Sequence, residues 1–207
     1  MATTRAHDCG QPGPCGRLPR DADAIADVLP ASLMVDRVYL GETHVVEGAR
    51  SHLGNAWGEG VLATTYLSHG SLVHLADENL FDISVAETLS NGAKLPLFVG
   101  STCHIGRFDL PGFEPLSSTL LLNPSGGAMA VLAPGGASVN GQAKTIGATF
   151  LSHSVGTGRT LGQAMLLTFR DIETVSGTRE LMKTYYLLGD PAIRLPTTAS
   201  SSATDQP

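Results

Sequence analysis

Three short runs constrain the fold of this chain more than anything else in it: VLATTYL at 61–67, LPLFVG at 95–100 and GAMAVLA at 127–133. Each is apolar or β-branched at nearly every position, without the polar alternation of a strand that has one wet face. Such runs read as strands buried on both faces. The segments between them carry apolar residues at helical spacing, and that alternation specifies an α/β architecture with a mostly parallel sheet between two helical layers.

Local signals place the remaining elements. Asp21 caps a short helix carrying Ile25, Val28 and Leu29, which Pro30 closes. A short strand spans 35–40, and a helix opening at Thr43 puts Val46, Ala49, Leu53 and Trp57 on one face. Asp82 opens a further helix, with Val85, Ala86 and Leu89 inward and Asn91-Gly92 as its stop. Helices are expected near 117–122 and over 141–152, 160–173 and 178–186. Residues 1–20 read as a flexible leader, 21–196 as the folded domain and 197–207 (TTASSSATDQP) as a disordered tail.

Charge and cysteine usage narrow the function classes. The net charge of −6 provides no basic field for nucleic acid or anionic lipid. No apolar run reaches the roughly 20 residues of a membrane span, and the amino terminus lacks the apolar stretch of a signal peptide. Three cysteines make a poor disulfide framework. Cys9 and Cys15 lie in a Gly/Pro-rich stretch and could pair or bind metal, but without Cys/His partners at zinc-site spacing a disordered leader is the preferred reading, and neither a metal nor a cofactor is expected.

Cys103 stands apart from these two and raises the question of chemistry. In open α/β sheets, ligands bind at the carboxyl ends of the strands. The 61–67 run delivers His69 to that edge, and the 95–100 run delivers Cys103. A right-handed crossover makes the two strands parallel, and as neighbours they lie about 4.8 Å apart. An imidazole beside a thiol removes its proton, and the thiolate can then attack a carbonyl carbon. Gly70, directly after the histidine, leaves room for substrate, and the N–H groups of Gly70 and Cys103 are candidate oxyanion donors.

Blander readings compete with this one. A lone cysteine is commonly a small buried hydrophobe. His104 is a rival base by adjacency, although neighbours on an extended chain point to opposite sides. His7, His44, His52, His74 and His153 read as surface residues. A metal site built from Cys103, His104 and His69 lacks a carboxylate or second cysteine to complete it. Asp190, in a Gly-Asp-Pro turn, caps backbone N–H groups.

Four segments in order carry a resemblance: Tyr66-Leu67-Ser68-His69-Gly70-Ser71, Thr102-Cys103, Gly126-Gly127-Ala128-Met129-Ala130-Val131 and Tyr186-Leu187-Leu188-Gly189-Asp190-Pro191-Ala192. Over about 21–195 the chain resembles the gingipain-type cysteine peptidases, which group with caspases, legumain and separase. The resemblance implies a caspase-like three-layer sandwich. It implies His69 as general base, Cys103 as nucleophile, and Gly70 with the Cys103 amide as oxyanion site. The activity it implies is that of an endopeptidase cleaving a peptide or protein substrate through a thioester acyl-enzyme.

Two departures from the family pattern accompany it. Ser118 stands where relatives commonly carry a glutamate. Fewer residues precede His69 than in the family, so the chain resembles the carboxy-terminal half of a catalytic domain. The expected sheet has four or five strands and is incomplete at its amino-terminal edge, inviting pairing with the missing half or another chain. A caspase-like interaction module without turnover is the alternative function. Relatives include secreted and cell-surface enzymes, but no signal here indicates location.

Overall fold

The three apolar runs become adjacent strands at the centre of one sheet. The structure, a computed structural model, describes residues 2–5, 18–41 and 45–197. In chain order the elements are β1 (Ala2–Arg5), α1 (Leu18–Ala26), β2 (Arg37–Leu40), α2 (Val46–Glu59), β3 (Ala63–Leu67), β4 (His74–Leu75), β5 (Phe81–Asp82), α3 (Ile83–Glu87) and β6 (Leu97–Ser101). There follow α4 (Leu116–Leu122), β7 (Ala130–Pro134), α5 (Asn140–Ser154), α6 (Leu161–Ile172), α7 (Thr178–Met182) and β8 (Tyr185–Gly189).

The main sheet has the order β2-β1-β3-β6-β7-β8, and β4 pairs with β5 in a separate small hairpin. Strands β1, β2, β3, β6 and β7 are parallel, and β8 runs antiparallel to β7. Every residue of β6 and β7 is buried, as their unbroken apolar runs require. Alternate side chains feed two cores. Tyr66, Phe98 and Val131 pack with Leu53 and Trp57 of α2, Ala86 of α3 and Leu120 of α4. Leu67, Val99 and Leu132 face the other way, onto Ile25 of α1, Ile146 and Phe150 of α5 and Leu161 of α6. This is the expected caspase-like α/β sandwich of three layers.

Polar side chains tie these layers together. The Trp57 indole N–H donates to Thr64 Oγ1 at 2.8 Å, so the largest core side chain has its polar atom satisfied. Ser101 Oγ donates to the Ala143 carbonyl of α5 at 3.1 Å. Gly147, one turn along, permits that approach, because a Cβ there would lie 2.5 Å from Ser101 Oγ. Asp82 caps α3 as its position predicts, accepting from the Val85 N–H at 2.9 Å.

Several expectations are corrected. The stretch read as a leader contains a strand: Ala2–Arg5 lies between β2 and β3, which makes the sheet six-stranded. Its sequence, ATTR, has no apolar run, and its place comes from backbone pairing on both edges. Residues 6–17, with Cys9 and Cys15, lie outside the described residues, as does the tail from 198 onward. The helix expected over 178–186 stops at Met182, and Tyr185–Gly189 forms the edge strand β8. Pairing with β7 and burial of Tyr185 override the helical pattern there. Helix α1 begins at Leu18, ahead of Asp21, whose carboxylate instead pairs with Lys144 of α5 at 2.7 Å. Helix α3 ends well before Asn91-Gly92.

Candidate active site

Strands β3 and β6 pair in parallel along their whole length, and their last rung is Leu67 opposite Ser101. His69 and Cys103 each lie two residues beyond that rung, at the same rim of the sheet. Each loop then turns sharply. After His69, Gly70 bridges Leu75 in a small antiparallel turn. The Ala76 N–H donates to the His69 carbonyl at 3.0 Å, and the Ser71 N–H to the His74 carbonyl at 2.9 Å. The buried Tyr66 hydroxyl adds a second donor to the His69 carbonyl at 2.7 Å. The histidine backbone is thus held from both sides while the residue itself is exposed.

The two loops touch at Gly70. A Cβ there would meet Thr102 Oγ1 at 2.4 Å and the Cys103 carbonyl oxygen at 3.4 Å. Sequence reasoning assigned the missing side chain to substrate access. The structure adds a packing requirement, because the histidine loop rests directly on the strand-end segment that carries the cysteine.

Cys103 is a free, half-buried thiol. The loop after β7, the next strand along, closes over it. The Ser138 N–H donates to Cys103 Sγ at 3.3 Å, and the Ser138 carbonyl lies 3.6 Å from the sulfur. The Ser138 hydroxyl donates to the Thr102 carbonyl. His104, the rival base, adopts a left-handed backbone with φ of 59°, and its N–H donates to the Gly136 carbonyl at 3.0 Å. Beneath the site, the Tyr185 hydroxyl donates to the Gly100 carbonyl at 3.3 Å. Burial, and secondarily the charge of Cys103, push that hydroxyl far above its ordinary range, so it stays a neutral donor.

The sequence model of peptidase family C25 matches residues 7–196. This chain belongs to peptidase family C25. Among solved structures, the C25 chain is similar to the complex of pro- and mature domains of RgpB from Porphyromonas gingivalis, with a TM-score of 0.71 and 17% identity over 95% of this chain and 48% of that one. It is similar to the Arg-specific cysteine proteinase gingipain R, RgpB, with a TM-score of 0.70 and 17% identity over 95% and 47%. A third structure, described as a protease, gives 0.67 and 13% identity over 95% and 48%. At these identities the likeness shows the fold. The C25 chain spans about half the length of the solved structures it matches. No curated protein matches it.

Other sequence candidates lie elsewhere in the C25 chain. His52 pairs with Asp36, and His153 with Asp171 at 2.7 Å. His74 belongs to the small hairpin, and His7 and His44 lie outside the described residues. Asp190 accepts from the Ala192 N–H at 2.8 Å, as a turn cap does. Among the described residues no three metal-ligating side chains gather, and no helix is long and apolar enough to cross a membrane.

Sequence reasoning missed Ser138, Tyr66 and Tyr185. Only Ser138 had a legible signal. It follows the Pro134-Gly135-Gly136 break at the carboxyl end of the next buried strand, where a third loop must reach the same rim.

Proposed function

We propose that this C25 chain acts as a cysteine endopeptidase with Cys103 as nucleophile and His69 as general base. The observation that carries the reading is the shared last rung, Leu67 opposite Ser101, which sends both residues off the same rim at equal distance. His69 takes the proton from Sγ, and the thiolate attacks the scissile carbonyl carbon. The oxyanion that forms is received by the N–H groups of Gly70 and Cys103. Both are outside the strand ladders, and the hairpin bonds around Gly70 use the flanking His69 and Ser71 instead. Collapse expels the amine, which takes its proton from the His69 imidazolium, and leaves a thioester on Cys103. Water, deprotonated by His69, then hydrolyses the thioester and frees the thiol.

The substrate is a polypeptide. The outer edge of β2 ends the sheet among the described residues, and there a further segment, from the same or another polypeptide, would extend it.

The test is covalent labelling with a peptidyl acyloxymethyl ketone mixture varied at the residue before the reactive carbonyl, read by intact and peptide mass. Cys103 takes the label, C103S takes none, and H69A labels on the order of 100-fold more slowly, the lower end of what a general base contributes. A folded wild-type chain that takes no label would make it an interaction module instead. Labelling of H69A at the wild-type rate would remove the histidine from the mechanism.

A further inference from the structure

The peptide between Thr102 and Cys103 holds a special position. It carries the Cys103 N–H, yet it lies past the end of every ladder. The β3–β6 pairing stops at Ser101, and the β6–β7 pairing stops at Val99 opposite Leu132. The sheet therefore does not fix its orientation. The bond that does is the one from the Ser138 hydroxyl to the Thr102 carbonyl. A trans peptide is planar with its C=O and N–H pointing in opposite directions, so anchoring the carbonyl aims the N–H. A hydrogen bond to the carbonyl also polarises the unit and strengthens its N–H as a donor.

Ser138 meets the cysteine a second time through its backbone, with its N–H 3.3 Å from Sγ. Its own placement is firm. Gly136, two residues earlier, accepts from the His104 N–H at 3.0 Å. Two residues later α5 begins, and that helix is fastened to β6 through Ser101 and Ala143.

We propose that Ser138 is a positioning residue for acyl transfer, its hydroxyl aiming the Cys103 N–H at the developing oxyanion while its own N–H holds the sulfur. The proposal rests on the peptidase reading above. It separates two reactions of one thiol. Alkylation by iodoacetamide develops no oxyanion, whereas attack on an acyloxymethyl ketone does.

The experiment measures both rates on wild type, Ser138→Ala and Ser138→Thr, with circular dichroism as the check on folding. Ser138→Ala keeps the N–H and loses only the hydroxyl. Its ketone labelling falls about 10-fold, a fraction of the 10²–10³ lost when an oxyanion donor is deleted outright, while iodoacetamide alkylation stays within about two-fold. Ser138→Thr restores the ketone rate. If Ser138→Ala does not fold, Ser138→Cys, a near-isosteric and weaker donor, replaces it with the same expected split. Parallel loss of both rates, or no loss of either, overturns the positioning role while C103S still shows Cys103 to be the nucleophile. A wild-type chain alkylated by iodoacetamide yet inert to the ketone overturns the peptidase reading, and this role with it.

Discussion

Residues around the rim come in pairs, one proposed to carry chemistry and one holding its backbone. Tyr66 is the clearest holder, because its hydroxyl reaches the His69 carbonyl from inside the core. Tyr66→Phe should cost about 1 kcal/mol in urea unfolding, the usual net value of a single hydrogen bond, and should slow ketone labelling of Cys103 with it. Asp82 is a holder with a pH signature. Burial alone would raise its carboxyl, but donation from Ser84 and from the Val85 N–H, with the charge of Arg50, outweighs burial and lowers it below 3.8. A folded-state value below the unfolded one contributes stability that is present above about pH 4 and lost as pH falls through the folded value. Asp82→Ala should therefore cost about 1 kcal/mol at pH 7, the typical worth of a cap. The gap to wild type in thermal melts should narrow as the solution is acidified below pH 4. That His69, Gly70 and Cys103 share one rim was legible in the sequence, because each comes within three residues of the end of a buried strand. For Ser138 the Pro134-Gly135-Gly136 break marks a loop at the rim, but it does not tell whether the serine hydroxyl anchors a peptide or faces water.

At the scale of elements, the amino ends of the central strands are stapled by asparagines far from the rim. Asn91 donates to the Gly127 carbonyl at 3.0 Å and accepts from the Gly127 N–H at 2.7 Å, joining the approach to β6 with the approach to β7. Asn123 does the same for α3, donating to the Ala86 and Leu89 carbonyls at 2.8 and 3.0 Å. Asn91→Ala orphans the Gly127 groups and should cost about 2 kcal/mol, within the range for an unsatisfied buried pair. Because the staple is at the opposite end of the strands, iodoacetamide alkylation of Cys103 in the folded variant should match wild type. Helices α2, α5 and α6 could be read from apolar spacing, and strands β3, β6 and β7 from their unbroken apolar runs, since burial agrees with the pattern in each. Strand β8 could not. Its residues continue the apolar spacing of α7, and only the free edge of β7 decides that they extend.

The whole molecule depends on a strand with no hydrophobic signature of its own. Without β1, the edge strand β2 has no contact with β3, since the order runs β2-β1-β3. Deleting residues 1–5 should abolish the single cooperative melt and shift the protein toward aggregates in size-exclusion chromatography, through the edge thereby exposed on β3. The opposite end of the sheet closes differently, with β8 antiparallel on the flank of β7 and its Tyr185 turned into the core. The placement of β1 also has a kinetic side. Its partners come much later in the chain: Ala2 pairs with Arg37, 37 − 2 = 35 residues on, and with Thr65, 65 − 2 = 63 residues on. Closing such distant pairings carries an entropic delay. During synthesis, this tetrapeptide must wait, unclaimed, until the slot between its neighbours has been made.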